Sequence, residues 1–281
     1  MIQRRYAEID VFTERPYLGN PLAVVLDGAG LDDAAMQRFA RWTNLSETCF
    51  LFAPDAAAAD YRVRIWTPGG ELPFAGHPTL GSCHAWLAAG GVARDAETIV
   101  QQCGVGLVRL RRDGERLAFE APPLRREAVD EAALAPVLMA LGLRRGQLRA
   151  AAWLDNGPRW LGLLLENAAA VLALEPDHAA LKSLGVKVGA IGAHDAAEAG
   201  GCAFEVRAFA AAIGIAEDPV TGSLNASLAQ WLIGEGVAPS RYVAAQGTRL
   251  GRAGRVHIEQ RDAAVWVGGA SVGCVEGRVR I

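Results

Sequence analysis

The stretch Leu72-Pro-Phe-Ala-Gly-His-Pro-Thr-Leu-Gly-Ser-Cys-His-Ala-Trp-Leu87 changes character halfway along. Pro73 to Pro78 reads as a tight turn punctuated by proline and glycine. Beyond it, Leu80, Cys83, Trp86 and Leu87 recur at helical spacing, which predicts a helix with one apolar stripe. Gly90-Gly91 supplies the stop. A helix starting here points its free backbone N–H groups into the turn that carries His77 and Thr79, and such an end attracts anions. An imidazole beside an anion site is a candidate for chemistry, although the same turn also forms in proteins that bind nothing.

The pattern occurs twice. Phe204-Glu-Val-Arg-Ala-Phe209 repeats the type and spacing of Tyr61-Arg-Val-Arg-Ile-Trp66, and Asp218-Pro-Val-Thr-Gly-Ser223 is a second tight turn. Leu224–Ile233 then repeats the helix, with Leu224, Ser227, Leu228 and Trp231 on its stripe and Gly234 as the stop. Trp231-Leu232 follows Trp86-Leu87 at an offset of 145 residues, and Thr221-Gly222-Ser223 meets Gly76-His77-Pro78 at the same offset. Two related halves, each with strands, a turn and a central helix, are expected. Units of this kind pack with equivalent elements facing, so the expectation is that two helix N-termini serve one ligand.

Between these landmarks the chain alternates short strands and helices. Strands are predicted at Tyr6–Phe12, Leu22–Leu26, Cys49–Phe52, Thr98–Gln102, Leu107–Arg111 and Leu117–Glu120, with a helix over Asp32–Trp42 capped by Asp32. Ala121-Pro122-Pro123 is the best linker. It is followed by helix Asp130–Leu141, strands Ala151–Leu154 and Trp160–Leu165, helix Pro176–Leu184, strand Val186–Ile191 and a loop over His194–Gly201. Strands near Arg255–Gln260, Ala264–Val267 and Gly277–Ile281 close the chain.

A chain of 281 residues can build one large or two medium cores. With 51% hydrophobic and 21% charged residues it has the composition of a soluble globular protein. Net charge is −3, lysine occurs only at positions 182 and 187, and no basic block is present, so nucleic acid is not an expected partner. No apolar run approaches the ~18 residues of a membrane span, and Met1-Ile-Gln-Arg-Arg5 lacks the apolar run of a signal peptide. Five widely spaced cysteines without a Cys-x-x-Cys argue against a zinc site or disulfide framework and for a reducing cytoplasm.

Four ionisable or hydroxyl residues stand out as candidates for chemistry. Glu47 sits where a loop enters an apolar strand, His77 lies in the first turn, and Asp218 and Ser223 lie in the second. A carboxylate and an imidazole of matched pKa could move one proton between two carbon atoms. Each also has a plainer reading: Glu47 as a capping or surface group, His77 as a turn residue, Asp218 as the start of a turn and Ser223 as an N-cap. His77 and His84 lie seven apart on a helix and make no metal spacing, and Gly104-x-Gly106 lacks the rest of a nucleotide fingerprint. Neither a metal nor a cofactor is expected.

Asn44-Leu-Ser-Glu-Thr48, Glu71-Leu-Pro-Phe-Ala-Gly-His-Pro-Thr79 and Glu217-Asp-Pro-Val-Thr-Gly-Ser223 resemble the three signature segments of the phenazine-biosynthesis PhzF-like isomerase family. Asp10-Val-Phe-Thr, Gly19-Asn-Pro-Leu-Ala23 and Val267-Gly-Gly-Ala-Ser-Val272 fit it as well, so the resemblance covers essentially the whole chain. It implies the diaminopimelate-epimerase fold, an α+β arrangement of two pseudo-symmetric domains, each a mostly antiparallel β-sheet or barrel wrapped around a central helix. The domains are expected at 1–121, rejoined by a final strand at about 268–281, and at 124–267.

The resemblance also implies a cofactor-independent isomerase acting on a small carboxylated substrate. In the phenazine enzyme this is trans-2,3-dihydro-3-hydroxyanthranilate, whose proton moves from carbon 3 to carbon 1. Glu47 is implied as the main acid/base, with His77 and Asp218 assisting and Ser46, Gly76, Thr79, Thr221, Gly222 and Ser223 holding the substrate. A homodimer is implied too. The chain departs from the parent epimerases in having Gly76 and Thr221 near the positions of their two catalytic cysteines, which disfavours a two-thiol racemase. A non-catalytic small-anion binder and an epimerase with Glu47 and Asp218 as opposing bases remain as alternatives.

Overall fold

In the computed structural model, which describes residues 2–195 and 201–281, the chain divides into two units, Met1–Glu120 with Gly268–Ile281 and Ala121–Val267. The loop expected over His194–Gly201 falls for the most part on residues 196–200, outside the described residues.

The first unit begins with an antiparallel pair, Gln3–Val11 against Asn20–Val25, and the last strand of the chain, Ser271–Arg280, returns to the other edge of Gln3–Val11. Asn20–Val25 continues in parallel to Thr48–Phe52, which turns back antiparallel to Tyr61–Thr67. Tyr61–Thr67 carries the short hairpin partner Gly70–Leu72 and, in parallel, Thr98–Cys103. A meander through Gly106–Asp113 and Arg116–Glu120 completes the sheet.

The second unit follows the same path. The hairpin Leu148–Asp155 and Arg159–Leu165 leads in parallel to Val188–Ala193, then antiparallel to Phe204–Ala210. Phe204–Ala210 carries a short antiparallel partner, Ile215–Asp218, and a parallel one, Arg241–Gln246, which pairs on with Gly254–Arg261. Strand for strand, the order of parallel and antiparallel pairings matches that of the first unit. The duplication read from two turns and two helices therefore extends through the sheets.

Each sheet carries a 13-residue helix, Gly76–Ala88 in the first unit and Gly222–Gly234 in the second. Neither has the single apolar stripe that the spacing predicts. Every residue from Gly76 to Cys83 is buried, whereas Trp86 and Leu87, two of the expected stripe residues, are half-exposed. The second helix is buried on every position from Gly222 to Ala229. A helix that small and apolar residues clothe on all sides is a core helix. Close approach explains the small residues: a Cβ on Gly81 would lie 2.6 Å from the Leu22 side chain and 2.9 Å from that of Val11. The helix starts, Gly76 and Gly222, are 146 residues apart rather than 145, so His77 corresponds to Ser223.

Outer helices close the cores. Asp32 caps Asp33–Thr43 as expected, accepting from Ala35 N–H at 2.7 Å, and Met36 and Ala40 are buried beneath it. In the second unit Asp130 caps Glu131–Ala140 and Asp177 caps His178–Leu184. Leu134, Leu138 and Leu181 from these helices pack on Leu161 and Leu163 of the sheet. Pro136 is accommodated inside Glu131–Ala140.

Several elements escaped the pattern. Arg241–Gln246 and Ile215–Asp218 are strands without clear alternation, Ala168–Leu172 is a short helix, and the closing strand is Ser271–Arg280 rather than Gly277–Ile281. Gly81 gives the packing a direct test. Replacing it with valine should force three carbons into contacts already closed, costing about 1–3 kcal/mol. Chemical denaturation should show a lower midpoint with an unchanged slope.

Candidate active site

The candidate site of the first unit begins with a loop closure. Asp10 Oδ2 accepts from the Gly19 N–H at 3.0 Å, drawing together the ends of Gln3–Val11 and Asn20–Val25. Only glycine fits there, because a Cβ on Gly19 would lie 2.2 Å from the Val11 carbonyl oxygen. The closure sets fully buried Asn20 beside the central helix, its amide nitrogen 3.4 Å from His77 Nδ1. On the far side of the ring, His77 Nε2 faces Glu47 Oε2 at 3.5 Å. Glu47 is the last residue before Thr48–Phe52, whose first residue pairs with Ala23 of the strand that carries Asn20. Asn20, His77 and Glu47 thus form a line fixed at three points by two parallel strands and a helix start.

Burial decides the charge of this line. His77 is 4% exposed, and desolvation pushes its pKa down to about 3, outweighing the opposing effect of its hydrogen bond to the Pro21 backbone. The ring is neutral at physiological pH, so its contact with Glu47 is not an ion pair. A neutral imidazole has one N–H and one lone pair. It can donate to a Glu47 carboxylate or accept from a Glu47 carboxylic acid, and so accommodates both states of a proton carrier. Glu47 keeps 12% of its side chain exposed, enough for a ligand to reach it.

His77 is the second residue of its helix. The N-cap, Ala75, offers no side-chain hydrogen bond, and the first turn has no acidic residue. Pro78 has no N–H, which leaves Gly76 and His77 as the donors without an intrahelical acceptor. Thr79 is fully buried, and its hydroxyl is committed to the fold: it donates to the Ala75 carbonyl at 2.9 Å and accepts from Gln101 at 3.0 Å. Tyr61 in turn donates to Gln101 at 2.9 Å. Ser46 is half-buried in the bend before Glu47. Burial raises the thiols behind this region, Cys83 to about 12 and Cys49 further, so neither is a nucleophile.

The equivalent region of the second unit is a hydrogen-bonded knot rather than a carboxylate–imidazole pair. Thr221, the N-cap of Gly222–Gly234, donates from its hydroxyl to Asp218 Oδ2 at 2.6 Å. Gln246 donates to that hydroxyl at 2.9 Å and to the Asp218 carbonyl at 3.1 Å. Its oxygen accepts from the Thr221 N–H at 3.0 Å and from Asn225 at 2.8 Å. Beside the knot, Arg207 grips Glu217 with two bonds of 2.9 and 2.8 Å, both side chains being nearly fully buried. These contacts hold the turn rigid. With Thr221 satisfied by Gln246, the N–H groups of Gly222, Ser223 and Leu224 lack an intrahelical acceptor. The helix therefore presents three donors and a positive dipole end.

Strand register shows how the halves differ. Leu161 pairs with Val188 as Ala23 pairs with Thr48, so Lys187 occupies the position of Glu47, and Ser223 that of His77. Lys187 lies over the Trp160 ring, 5.0 Å from its centroid, and burial lowers its pKa. At these equivalent positions a carboxylate faces an imidazole in the first unit and a lysine and a serine stand in the second, where a different pair, His194 Nε2 and Glu205 Oε2, meets at 3.2 Å. Of the polar residues involved, Gln246 and Asn225 are not marked by the sequence pattern. The available signals are weak: one of two amides in the Leu- and Ala-rich run of Gly222–Gly234, and another at a strand end before Gly247. Among the described residues, no group of three or more His, Cys, Asp or Glu is placed to hold a metal ion, and no helix is long and apolar enough to cross a membrane.

A family model described as "Phenazine biosynthesis-like protein" (PhzC-PhzF) matches residues 9–277. The chain is 36% identical to the Schizosaccharomyces pombe protein named antisense-enhancing sequence 1, covering 99% of each. It is also 36% identical to the trans-2,3-dihydro-3-hydroxyanthranilate isomerase of Pseudomonas aeruginosa, covering 98% of each. The crystal structure of a Bacillus anthracis phenazine biosynthesis protein of the PhzF family superposes over all of both chains with a TM-score of 0.86 at 22% identity, a likeness of fold.

The low pKa of His77 has a consequence for acid stability. Below its ordinary value of 6.5 the unfolded chain binds a proton that the folded chain refuses until about pH 3. Stability should therefore fall as pH drops through that window, with a slope from this residue approaching about 1.4 kcal/mol per pH unit. Thermal unfolding of His77→Gln between pH 6.5 and 4 should be less pH-sensitive than that of the parent. Equal slopes would mean that His77 is not held neutral.

Proposed function

We propose a proton-transfer mechanism for this chain, which belongs to the phenazine biosynthesis-like PhzC-PhzF family and, like its isomerase relatives, is an isomerase. In this reading it moves a proton between two carbon atoms of a small carboxylated substrate without a cofactor; its Pseudomonas aeruginosa relative is named as an isomerase of one carboxylated compound, trans-2,3-dihydro-3-hydroxyanthranilate. The observation that carries the proposal is the nearly buried Glu47 facing a neutral His77 at 3.5 Å in the first unit, with Lys187 and Ser223 at the corresponding positions of the second.

Glu47, as a carboxylate, takes a proton from an acidic C–H of the substrate, leaving an electron pair delocalised toward the carboxylate and any conjugated double bond. The resulting Glu47 carboxylic acid returns the proton to a second carbon. Atoms and electrons balance within the substrate, and no oxidant or reductant enters. His77 faces Glu47 through Nε2, donating to its carboxylate in the tautomer protonated there and accepting from its carboxylic acid in the other tautomer, so that a neutral ring suits either charge state of Glu47. The donors at Gly222, Ser223 and Leu224 of the second unit suit a carboxylate, with Thr221 and Asp218 beside them, and Ser46 and Gly76 are the proposed contacts next to Glu47 and His77 in the first unit. With its Oδ2 already accepting from Thr221, Asp218 serves here as a fixed acceptor rather than as a second mobile base.

Turnover of candidate dihydroaromatic carboxylic acids in deuterated water should place deuterium on a product carbon. Glu47→Gln should lower that incorporation by at least about 10²-fold, the usual contribution of a positioned general base, while ligand affinity stays within a few-fold of the parent. Unimpaired exchange in Glu47→Gln would exclude Glu47 as the carrier. Carboxylate binding without exchange in the parent chain would favour a binding protein instead.

A further inference from the structure

The two central helices are equivalent from their starts, so Ala85 and Trp231 hold the same place, each nine residues past Gly76 or Gly222. They differ by a whole indole ring. In the second unit that ring is buried against the sheet, where a Cβ on Gly162 would lie 3.3 Å from it. In the first unit Ala85 offers only a methyl group, and it lines a cavity of about 230 Å³. The cavity lies between the second half of the helix, the strand Gln3–Val11 and the returning strand Ser271–Arg280. Ala7, Ile9, Leu26 and Ala85 form its apolar walls. An apolar cavity of about 150 Å³ takes up benzene, so this one has room for a two-ring aromatic. Ala85 stands about 12 Å further along the helix axis than His77, away from the candidate active site.

The mouth of the cavity is polar, with Arg5, His84 and Glu276 around it. Arg5 is committed to Asp27 through Nε and Nη2, at 3.1 and 2.7 Å. Burial holds the His84 ring below its ordinary pKa of 6.5, so it is neutral at physiological pH. Among the described residues Glu276 makes no ion pair, and its exposed carboxylate is free to meet a cation.

We infer that this cavity is a ligand site for an arylalkylamine, an aromatic group of indole size whose protonated amine pairs with Glu276. The second unit supplies the template. At the equivalent place the chain inserts its own indole, that of Trp231, so a ring of this shape suits the spacing of helix and sheet. An amine without a ring leaves the apolar walls unfilled, and a carboxylate meets Glu276 with like charge. Neither Glu47 nor His77 lines the cavity, and the inference does not rest on the proton transfer proposed above.

Calorimetric titration of the full chain with tryptamine, indole and indole-3-acetate tests this. Tryptamine should bind most tightly, with indole weaker by up to about fivefold, the scale of one exposed ion pair, and indole-3-acetate weaker still. Ala85→Trp, which rebuilds the filling of the second unit, should weaken tryptamine by at least about tenfold, because the ring loses its apolar walls. Ala88→Phe crowds the same cavity from its exposed edge and serves where Ala85→Trp does not fold. Glu276→Gln should bring tryptamine and indole to within about twofold of each other. Glu47→Gln should bind tryptamine as the parent does, which separates this cavity from the candidate active site. A parent chain that takes up no tryptamine at millimolar concentrations would overturn the inference. So would tryptamine affinity that survives the crowding variants, or a preference over indole that survives Glu276→Gln.

Discussion

A helix enclosed by a curled sheet must bury its first turn, and the N–H groups of that turn have no partner within the helix. Both central helices of this chain, Gly76–Ala88 and Gly222–Gly234, begin without a side-chain cap. A buried donor left unsatisfied costs more than a hydrogen bond returns, so the fold carries two places where an anionic or strongly accepting group is favoured. The surrounding sequence serves to keep those places open and rigid. Glycine at 81 lets the strands close on the first helix, and Gly19 with Asp10 brings Asn20 to its start. Gln246, Thr221 and Arg207 with Glu217 lock the turn that precedes the second.

Duplication made the two units alike in path and different in chemistry. Where the first has Glu47 and His77, the second has Lys187 and Ser223. A neutral imidazole can face either charge state of a carboxyl group without forming an ion pair, whereas a lysine and a serine at the same places offer hydrogen-bond donors. The two units thus differ at two pairs of equivalent positions, a carboxylate with a neutral imidazole in the first and a lysine with a serine in the second. Desolvation is what makes the first pair work: it keeps His77 uncharged, so that Glu47 is not locked into a salt bridge with it.

The duplication was legible because turns and helix stops are marked by glycine and proline, and because Tyr61–Trp66 and Phe204–Phe209 share an alternating pattern. Glu47 was legible as a carboxylate in front of an apolar strand, where burial without a partner would be unfavourable. The apolar stripe misled, since a helix covered on every side shows small residues rather than one face. Strand Arg241–Gln246 was missed because its second half, Ala244 to Gln246, is buried on both faces, which erases the period-2 signal there. The Gln246 and Asn225 knot was missed for a related reason. Its members lie more than twenty residues apart, and only the parallel pairing of Phe204–Ala210 with Arg241–Gln246 brings them together.

In the proposed mechanism one carboxylate, Glu47, carries the proton from one carbon to the other and exchanges it only in part with solvent. The most direct measurement is turnover in ordinary water of a substrate deuterated at the carbon that loses its proton, with the product sampled within the first turnover. A single carrier, shielded as Glu47 is, should deliver part of the label to the receiving carbon. Complete loss of label in the first turnover, at a rate unchanged in Glu47→Gln, would contradict the account and require proton exchange through solvent or a second base.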